Sequence, residues 1–137
     1  MIIMAVDLGL SRTGIAVSDS GESFAFPKGV IFEKDEQALI GKICESAAQY
    51  GAKRIVVGLP KNMDGTSGER AEACARIAGE IEKQSGIETV LLDERLTTSA
   101  ANVYLNMNDV RGKKRKNTVD AVAATLILED YLRSIKK

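Results

Sequence analysis

Short apolar runs near the N terminus predict three consecutive strands. Residues 2–6 are apolar throughout and end at Asp7, as expected for a strand that is buried on both faces. A glycine-bordered stretch, residues 8–13, predicts a turn, and residues 14–18 predict a second strand. Because this connection is short, the two strands should form a hairpin, with a third strand near residues 27–32 beside it.

After the third strand, helical and strand patterns alternate. The predicted order is a helix between Asp35 and Gly51, a strand at 54–59, a helix at 67–85, a strand at 88–94, and helices at 98–107 and 117–135. The last helix is apolar on almost every side over residues 121–128, which predicts that it is buried. The order indicates one α/β domain over residues 1–137, with helices on both faces of a five-stranded mixed sheet. The first three strands should be antiparallel and the last two parallel.

The amino-acid composition says little about the fold, but it excludes several kinds of catalytic chemistry. The 137 residues include no histidine, which excludes Ser-His-Asp and Cys-His catalysis and the usual histidine-bearing zinc sites. Cys44 and Cys74 provide no disulfide framework, which favours a reducing, cytoplasmic compartment. No apolar run approaches the roughly 20 residues of a membrane-spanning helix. Catalysis would therefore use carboxylates, lysines, hydroxyls or a metal ion bound by oxygen.

The charge is balanced overall but unevenly distributed. The chain has 19 basic and 19 acidic residues, yet residues 111–116 contain five basic residues and no acid. We interpret this segment as a loop between the last two helices that contacts nucleic-acid phosphates. The contacting side chains would be Arg111, Lys113, Lys114, Arg115 and Lys116. A solvated loop without a binding role is the alternative.

Three acids from distant segments are expected at one rim of the sheet. Asp7 ends the first strand and Glu94 ends the fifth, and ligands of open α/β sheets gather at the carboxyl ends of parallel strands. Asp120 heads the apolar face of the last helix, so its carboxylate should lie against the sheet or its rim with a partner. Successive strand residues face opposite sides, so only one of Asp93 and Glu94 belongs to such a site.

Each acid also has a structural interpretation. Asp120 could be a capping-box acid, Asp7 a turn former, and Glu94 the ion-pair partner of Arg95 or Arg54. Their convergence on one rim favours a shared site. Three carboxylates could hold two Mg²⁺ or Mn²⁺ ions about 4 Å apart, as used for in-line phosphodiester cleavage. One ion would activate a water and the other would stabilise the departing oxyanion.

Other side chains are candidates for substrate contact. Arg12 and Arg95 lie beside the proposed acids and could bind a phosphate or form structural ion pairs. Lys61 and Asn62, in the loop after the fourth strand, could also touch a nucleic acid. Three tyrosines, three phenylalanines and no tryptophan leave few stacking platforms, which argues against base-by-base reading of single strands.

Five motifs in this order resemble the YqgF family of pre-16S rRNA nucleases, also described as Holliday-junction-resolvase-like proteins. They are Asp7-Leu8-Gly9, residues 14–19, residues 58–66, residues 93–98 and residues 119–124. The resemblance covers essentially the whole chain. It implies an RNase H-like fold, a cytoplasmic role in trimming the 5′ end of pre-16S rRNA, and metal binding by Asp7, Glu94 and Asp120. Asn117 and Thr118 stand where the family usually has a lysine, so Lys116 is the nearest lysine before the helical acid.

Two other functions use the same residues. A Holliday junction resolvase acting on branched DNA would share the acids but would need a homodimer, whereas an RNA-processing enzyme could be a monomer or a homodimer. A nucleic-acid-binding domain without catalysis would use the acids only to hold the fold. The hairpin at Asp7 also resembles the phosphate-binding hairpin of sugar kinases. Those enzymes close two such domains around ATP, and one domain here argues against that activity.

Overall fold

The computed structural model describes residues 1–9, 11–59, 68–93 and 112–135, the last range with side chains from residue 122 onward. It contains five strands and three helices within those residues. In chain order they are β1 (Ile2–Asp7), β2 (Arg12–Ser18), β3 (Ala25–Phe32), α1 (Glu36–Tyr50), β4 (Ala52–Leu59), α2 (Glu69–Ser85), β5 (Glu88–Asp93) and α3 (Gly112–Ile135).

The strands form one mixed sheet, as the sequence predicts. Its order is β3-β2-β1-β4-β5. β1, β2 and β3 pair in antiparallel fashion, and β4 and β5 run parallel to β1. We call the edge where β1, β4 and β5 finish the carboxyl end of the sheet, and the opposite edge the amino end.

Helices cover both faces of the sheet, also as predicted. Alternate residues of β1 belong to two separate cores. On the α1/α2 face, strand and helix residues pack together: Met4, Val6, Ile15, Val17, Ile55, Val57, Leu39, Ile43, Cys74 and Ile81. On the α3 face the smaller core consists of Ile3, Ala5, Ala16, Val56, Ala124, Ile127, Leu128 and Leu132. Each face of β1 is therefore buried against a different set of helices.

The predicted boundaries of the first two helices are close to the observed ones. Asp35 caps α1, because its carboxylate accepts the backbone N–H of Ala38 at 2.9 Å. Gly51 and Gly86 end α1 and α2 with φ values of 71° and 72°, a conformation that favours glycine.

The start of the last helix was predicted wrongly. α3 begins at Gly112 rather than at residue 117, so residues 112–116 belong to a helix and not to a loop. Lysine and arginine are good helix formers, and nothing between Gly112 and residue 117 interrupts a helix. The helix predicted at 98–107 falls outside the described residues. Within the part of the chain that the structure describes, no helix has the length and apolar character needed to cross a bilayer.

The direction of α3 across the sheet follows from contacts of its C-terminal half. The Nη1 atom of Arg54, near the start of β4, donates a hydrogen bond to the Tyr131 hydroxyl at 2.8 Å. Ser23, in the β2–β3 turn, lines a small cavity with Leu132 and Arg133. Both contacts lie at the amino end of the sheet. The N-terminal half of α3 therefore runs towards the carboxyl end.

Candidate active site

The carboxyl end of β1 presents an acid on the α3 face. Asp7 is the last residue of β1, is half-buried and pairs with Gly14 of β2. It follows Ile3 and Ala5 in the alternation of β1, and those residues pack under α3. Gly14 has no side chain, so the next side chain along β2 on this face is that of Arg12. The Cα atoms of Asp7 and Arg12 are then about 8 Å apart.

Asp93, the last residue of β5, can be assigned to one face of the sheet. Asp93 pairs with Leu59, which packs against the core of the α1/α2 face. Val90 and Leu92 pack instead on the α3 face. Asp93 therefore lies on the side of the sheet opposite to Asp7 and is not a candidate for a site shared with it.

Ten predicted site residues lie outside the part of the chain whose side chains the structure describes. Those outside the described residues are Lys61, Asn62, Glu94, Arg95 and Arg111. Asp120, Lys113, Lys114, Arg115 and Lys116 lie on α3, where the structure gives the course of the helix only. Among the side chains that are described, no three acids or cysteines are grouped closely enough to hold a metal ion. The roles of all these residues stay predictions.

Arg54, one of the ion-pair partners considered for Glu94, makes two interactions at the amino end of the sheet. It donates from Nε to Glu88 Oε1 at 2.5 Å and from Nη1 to the Tyr131 hydroxyl at 2.8 Å. Glu94 itself falls outside the described residues, so its ion pair stays a prediction.

A basic residue that the sequence analysis missed holds the turn after Asp7. The Nη2 atom of Arg70 donates a hydrogen bond to the Leu8 carbonyl at 2.7 Å, which joins the first turn of α2 to the residue after Asp7. An arginine in the first turn of a helix opposes the helix dipole, and this is the sequence signal that could have identified it. Arg70 thus orients the backbone next to the candidate acid.

Glycine is required at the same turn by close backbone packing. A Cβ on Gly9 would lie 2.0 Å from the Arg12 carbonyl oxygen, far closer than atoms can approach. The Gly9 N–H also faces Thr13 Oγ1 at 3.5 Å. Gly9 therefore lets the chain turn back tightly from Asp7 into β2 and brings Arg12 near the acid.

Comparison with known sequences identifies relatives along almost the whole chain. The family model described as "RuvX: Holliday junction resolvase" matches residues 1–134. A protein of Bacillus cytotoxicus is 43% identical over 136 residues, which cover 98% of this chain and 99% of that protein. A Rickettsia bellii protein is 39% identical over 135 residues, covering 98% and 88%. Both carry the name "Putative pre-16S rRNA nuclease".

The fold is similar to that of a protein solved in complex with a Holliday junction. Thermus thermophilus RuvC, solved in complex with a Holliday junction substrate, superposes with a TM-score of 0.63. The comparison covers 99% of this chain and 97% of that one at 13% sequence identity, so it bears on the fold alone. The sheet order and the likeness to RuvC confirm the RNase H-like fold. On the sequence matches, the chain belongs to the RuvX family and is a nuclease.

Proposed function

We propose that the chain is a metal-dependent phosphodiester hydrolase that processes the 5′ end of pre-16S rRNA in the cytoplasm, with residues 1–137 acting as one domain. The names of its relatives support the RNA substrate. The observation that carries the proposal is the position of Asp7. This acid ends a central strand on the face that α3 covers, and the N-terminal half of α3 runs towards it.

The dimensions of the fold support a site shared by Asp7 and Asp120. An α-helix rises about 1.5 Å per residue, so Asp120 lies about 16 Å along α3 from Tyr131. A strand rises about 3.3 Å per residue, so Asp7 lies about 13 Å along β1 from Ile3. Ile3 pairs with Arg54, which bonds Tyr131. With α3 running along β1 from this common starting level, the two acids would reach similar heights along the sheet, which supports a shared site.

The alternation of β5 supports Glu94 as the third acid. Asp93 lies on the α1/α2 face and Leu92 on the α3 face. If the alternation continues for one more residue, Glu94 shares a face with Asp7.

The donor set fits a hard divalent cation. Asp7, Glu94 and Asp120 offer only carboxylate oxygens, the ligands that Mg²⁺ and Mn²⁺ prefer, and the sequence has no histidine to favour a softer metal. When bound, a pair of such ions neutralises charge on the phosphodiester oxygens and makes water more acidic. The protein's part is to hold the three carboxylates together and to orient the Asp7 turn through Arg70 and Gly9.

Basic side chains would hold the nucleic acid against these acids. Arg12 shares a face with Asp7 and can bind a phosphate next to the scissile bond. The basic residues that begin α3 lie on the half of the helix that runs towards the same end. With Arg111, Lys61, Asn62 and Arg95, they would contact the RNA backbone, and these contacts weaken as salt rises.

The description of the family favours a second candidate function. A Holliday junction resolvase would use the same acids to cut branched DNA. It would need two active sites facing paired strands, and therefore a homodimer of this chain.

Cleavage assays separate these functions. The full chain is incubated with a pre-16S rRNA fragment carrying its 5′ extension, and separately with a four-way DNA junction, with Mg²⁺, Mn²⁺ or a chelator. We expect metal-dependent cleavage of the RNA and a loss of at least about a hundredfold in Asp7→Asn. Asp19→Asn is the matched control, because this acid lies at the amino end of the sheet.

Undiminished cleavage by Asp7→Asn, or by the wild type in chelator, would contradict the proposal. Cleavage of the junction but not of the RNA would replace it with the resolvase function.

A further inference from the structure

An exposed phenylalanine lies on the same face and at the same end of the sheet as Asp7. All three phenylalanines of the chain are exposed on or beside the edge strand β3: Phe24 is 65%, Phe26 is 47% and Phe32 is 53% exposed. Phe26 pairs with Val17, which belongs to the α1/α2 face. Phe32 pairs with Arg12, at the carboxyl end. Only Phe32 of the three therefore lies near the candidate active site.

The strand register puts Asp7, Arg12 and Phe32 on one surface. Residues that pair directly across antiparallel strands share a face, so Phe32 shares a face with Arg12 and Asp7 with Gly14. Arg12 and Gly14 are two apart along β2 and also share that face. The Cα atoms of Asp7 and Phe32 are then about 12 Å apart, with Gly14 adding no side chain between them.

Phe32 is held on a hydrogen-bonded ladder. The Glu33 N–H donates to the Ser11 carbonyl at 3.1 Å, which extends the pairing of β2 and β3 past Phe32. An open depression of about 460 Å³ lies here, lined by Ser11, Arg12, Phe32, Glu33 and Lys34. Because the backbone of Phe32 is already fixed by this pairing, little backbone entropy is lost when a flat ligand binds its ring.

The charges around the depression suit an anionic ligand. Arg12 and Lys34 are cationic. Glu33 is the acid among the described residues that line the depression, and its carboxylate accepts from Lys42 Nζ at 2.8 Å and from the Asp35 N–H at 3.1 Å. An aromatic face beside cations is the combination that binds unpaired nucleotides, with the base stacked and the phosphate paired.

We propose that Phe32 and Arg12 form a subsite for one unpaired nucleotide of the substrate. Its base stacks on Phe32, and its phosphate binds Arg12. The inference rests on the proposed function, because it is the nearby site at Asp7 that makes this nucleotide a neighbour of the cleaved bond. If the subsite exists, the preferred substrate is structured RNA with an unpaired segment beside the scissile phosphate. The scarcity of aromatic residues does not oppose this, since one ring is enough for one base.

RNA binding in chelator tests the subsite without cleavage. The probes are a fluorescein-labelled RNA hairpin with an unpaired 5′ extension and a blunt hairpin with the same stem, followed by fluorescence anisotropy. We expect Phe32→Ala to weaken binding of the extended hairpin by about 5- to 100-fold. Binding of the blunt hairpin should stay unchanged. Phe32→Trp, which keeps a stacking surface, should bind the extended hairpin at least as tightly as the wild type.

Phe26→Ala is the matched control, because it removes an exposed ring of the same strand on the opposite face. Equal binding of the extended hairpin by Phe32→Ala and Phe26→Ala would overturn the subsite. So would sedimentation data in which Phe32→Ala converts a wild-type dimer to monomers without changing RNA binding, since Phe32 would then join two copies of the chain. Cleavage by Asp7→Asn would instead contradict the metal site, so the two proposals fail in different experiments.

Discussion

The two ends of the sheet use their polar residues differently. At the amino end, the Met1 ammonium group binds Glu22 Oε2 at 2.9 Å. The Asp19 carboxylate accepts the backbone N–H groups of Ser23 and Phe24, both at 2.8 Å. These contacts fix the position of Met1 and the conformation of the β2–β3 turn. Polar residues at this end are thus engaged in holding the fold.

At the carboxyl end, two charged residues and one aromatic residue share a surface. Asp7, Arg12 and Phe32 follow one another across the α3 face of three adjacent strands. Arg70 and Gly9 shape the turn between the first two of these residues. The comparison indicates that substitutions at the amino end should lower stability, whereas substitutions at the carboxyl end should lower cleavage.

The largest expected effect is a difference in cleavage rate between substitutions of two adjacent acids, Glu94 and Asp93. We expect Glu94→Gln to lower the single-turnover cleavage rate by at least about a hundredfold, because a proposed metal ligand is lost. Asp93→Asn should retain most of the activity, because Asp93 lies on the α1/α2 face. If Asp93→Asn lost more activity than Glu94→Gln, the alternation of faces along β5 would not continue to Glu94, and the assignment of this acid to the site would be wrong.

A smaller loss of cleavage activity is expected when the turn after Asp7 loses its hydrogen bond from Arg70. Arg70→Met removes the hydrogen bond to the Leu8 carbonyl. Arg70 acts as a positioning residue, so kcat should fall about tenfold, equivalent to about 1.4 kcal/mol, with KM unchanged. Arg70→Lys, which keeps a donor, should recover part of the rate. If KM rises while kcat is constant, Arg70 binds substrate instead of orienting the turn.

At the amino end, loss of the hydrogen bond between Arg54 and Tyr131 of α3 should affect stability alone. Tyr131→Phe deletes the acceptor for Arg54 and should lower the free energy of unfolding by about 1 kcal/mol, measured by urea denaturation. Cleavage below the melting temperature should stay at the wild-type level. A large loss of activity in this variant would show that the two ends are coupled through α3.

The smallest expected effect is a change with pH in the stability that Asp19 contributes. Backbone hydrogen bonds from Phe24 and Ser23 lower the pKa of Asp19 below its ordinary value of 3.8. A lowered pKa in the folded state stabilises the protein above pH 3.8, and that contribution disappears as the pH falls through the folded value. The stability difference between wild type and Asp19→Asn should therefore shrink on acidification below about pH 4. A difference that grows instead would contradict this role.

Much of the fold could be predicted because its signals are local. Asp35 and Gly51 bracket α1 within a single stretch of sequence, and the apolar run at residues 2–6 is sufficient to predict a central strand. The start of α3 was predicted wrongly because a charged run resembles a loop when its helix propensity is ignored.

The site was less accessible to sequence reasoning, because its contacts are long-range. Asp7 could be predicted as a rim residue from its place at the end of a buried strand. Arg70 could not be linked to it, since 62 residues separate Arg70 from its partner Leu8. Phe32 stands out only when the register of β2 and β3 aligns it with Arg12 and Asp7.

Manganese soaked into crystals of the full chain, located by its anomalous signal, tests the central claim most directly. The account predicts a peak at the carboxyl end of the sheet that Asp7, Glu94 and Asp120 coordinate together. Three acids held too far apart to share an ion, with no manganese bound to Asp7, would contradict it.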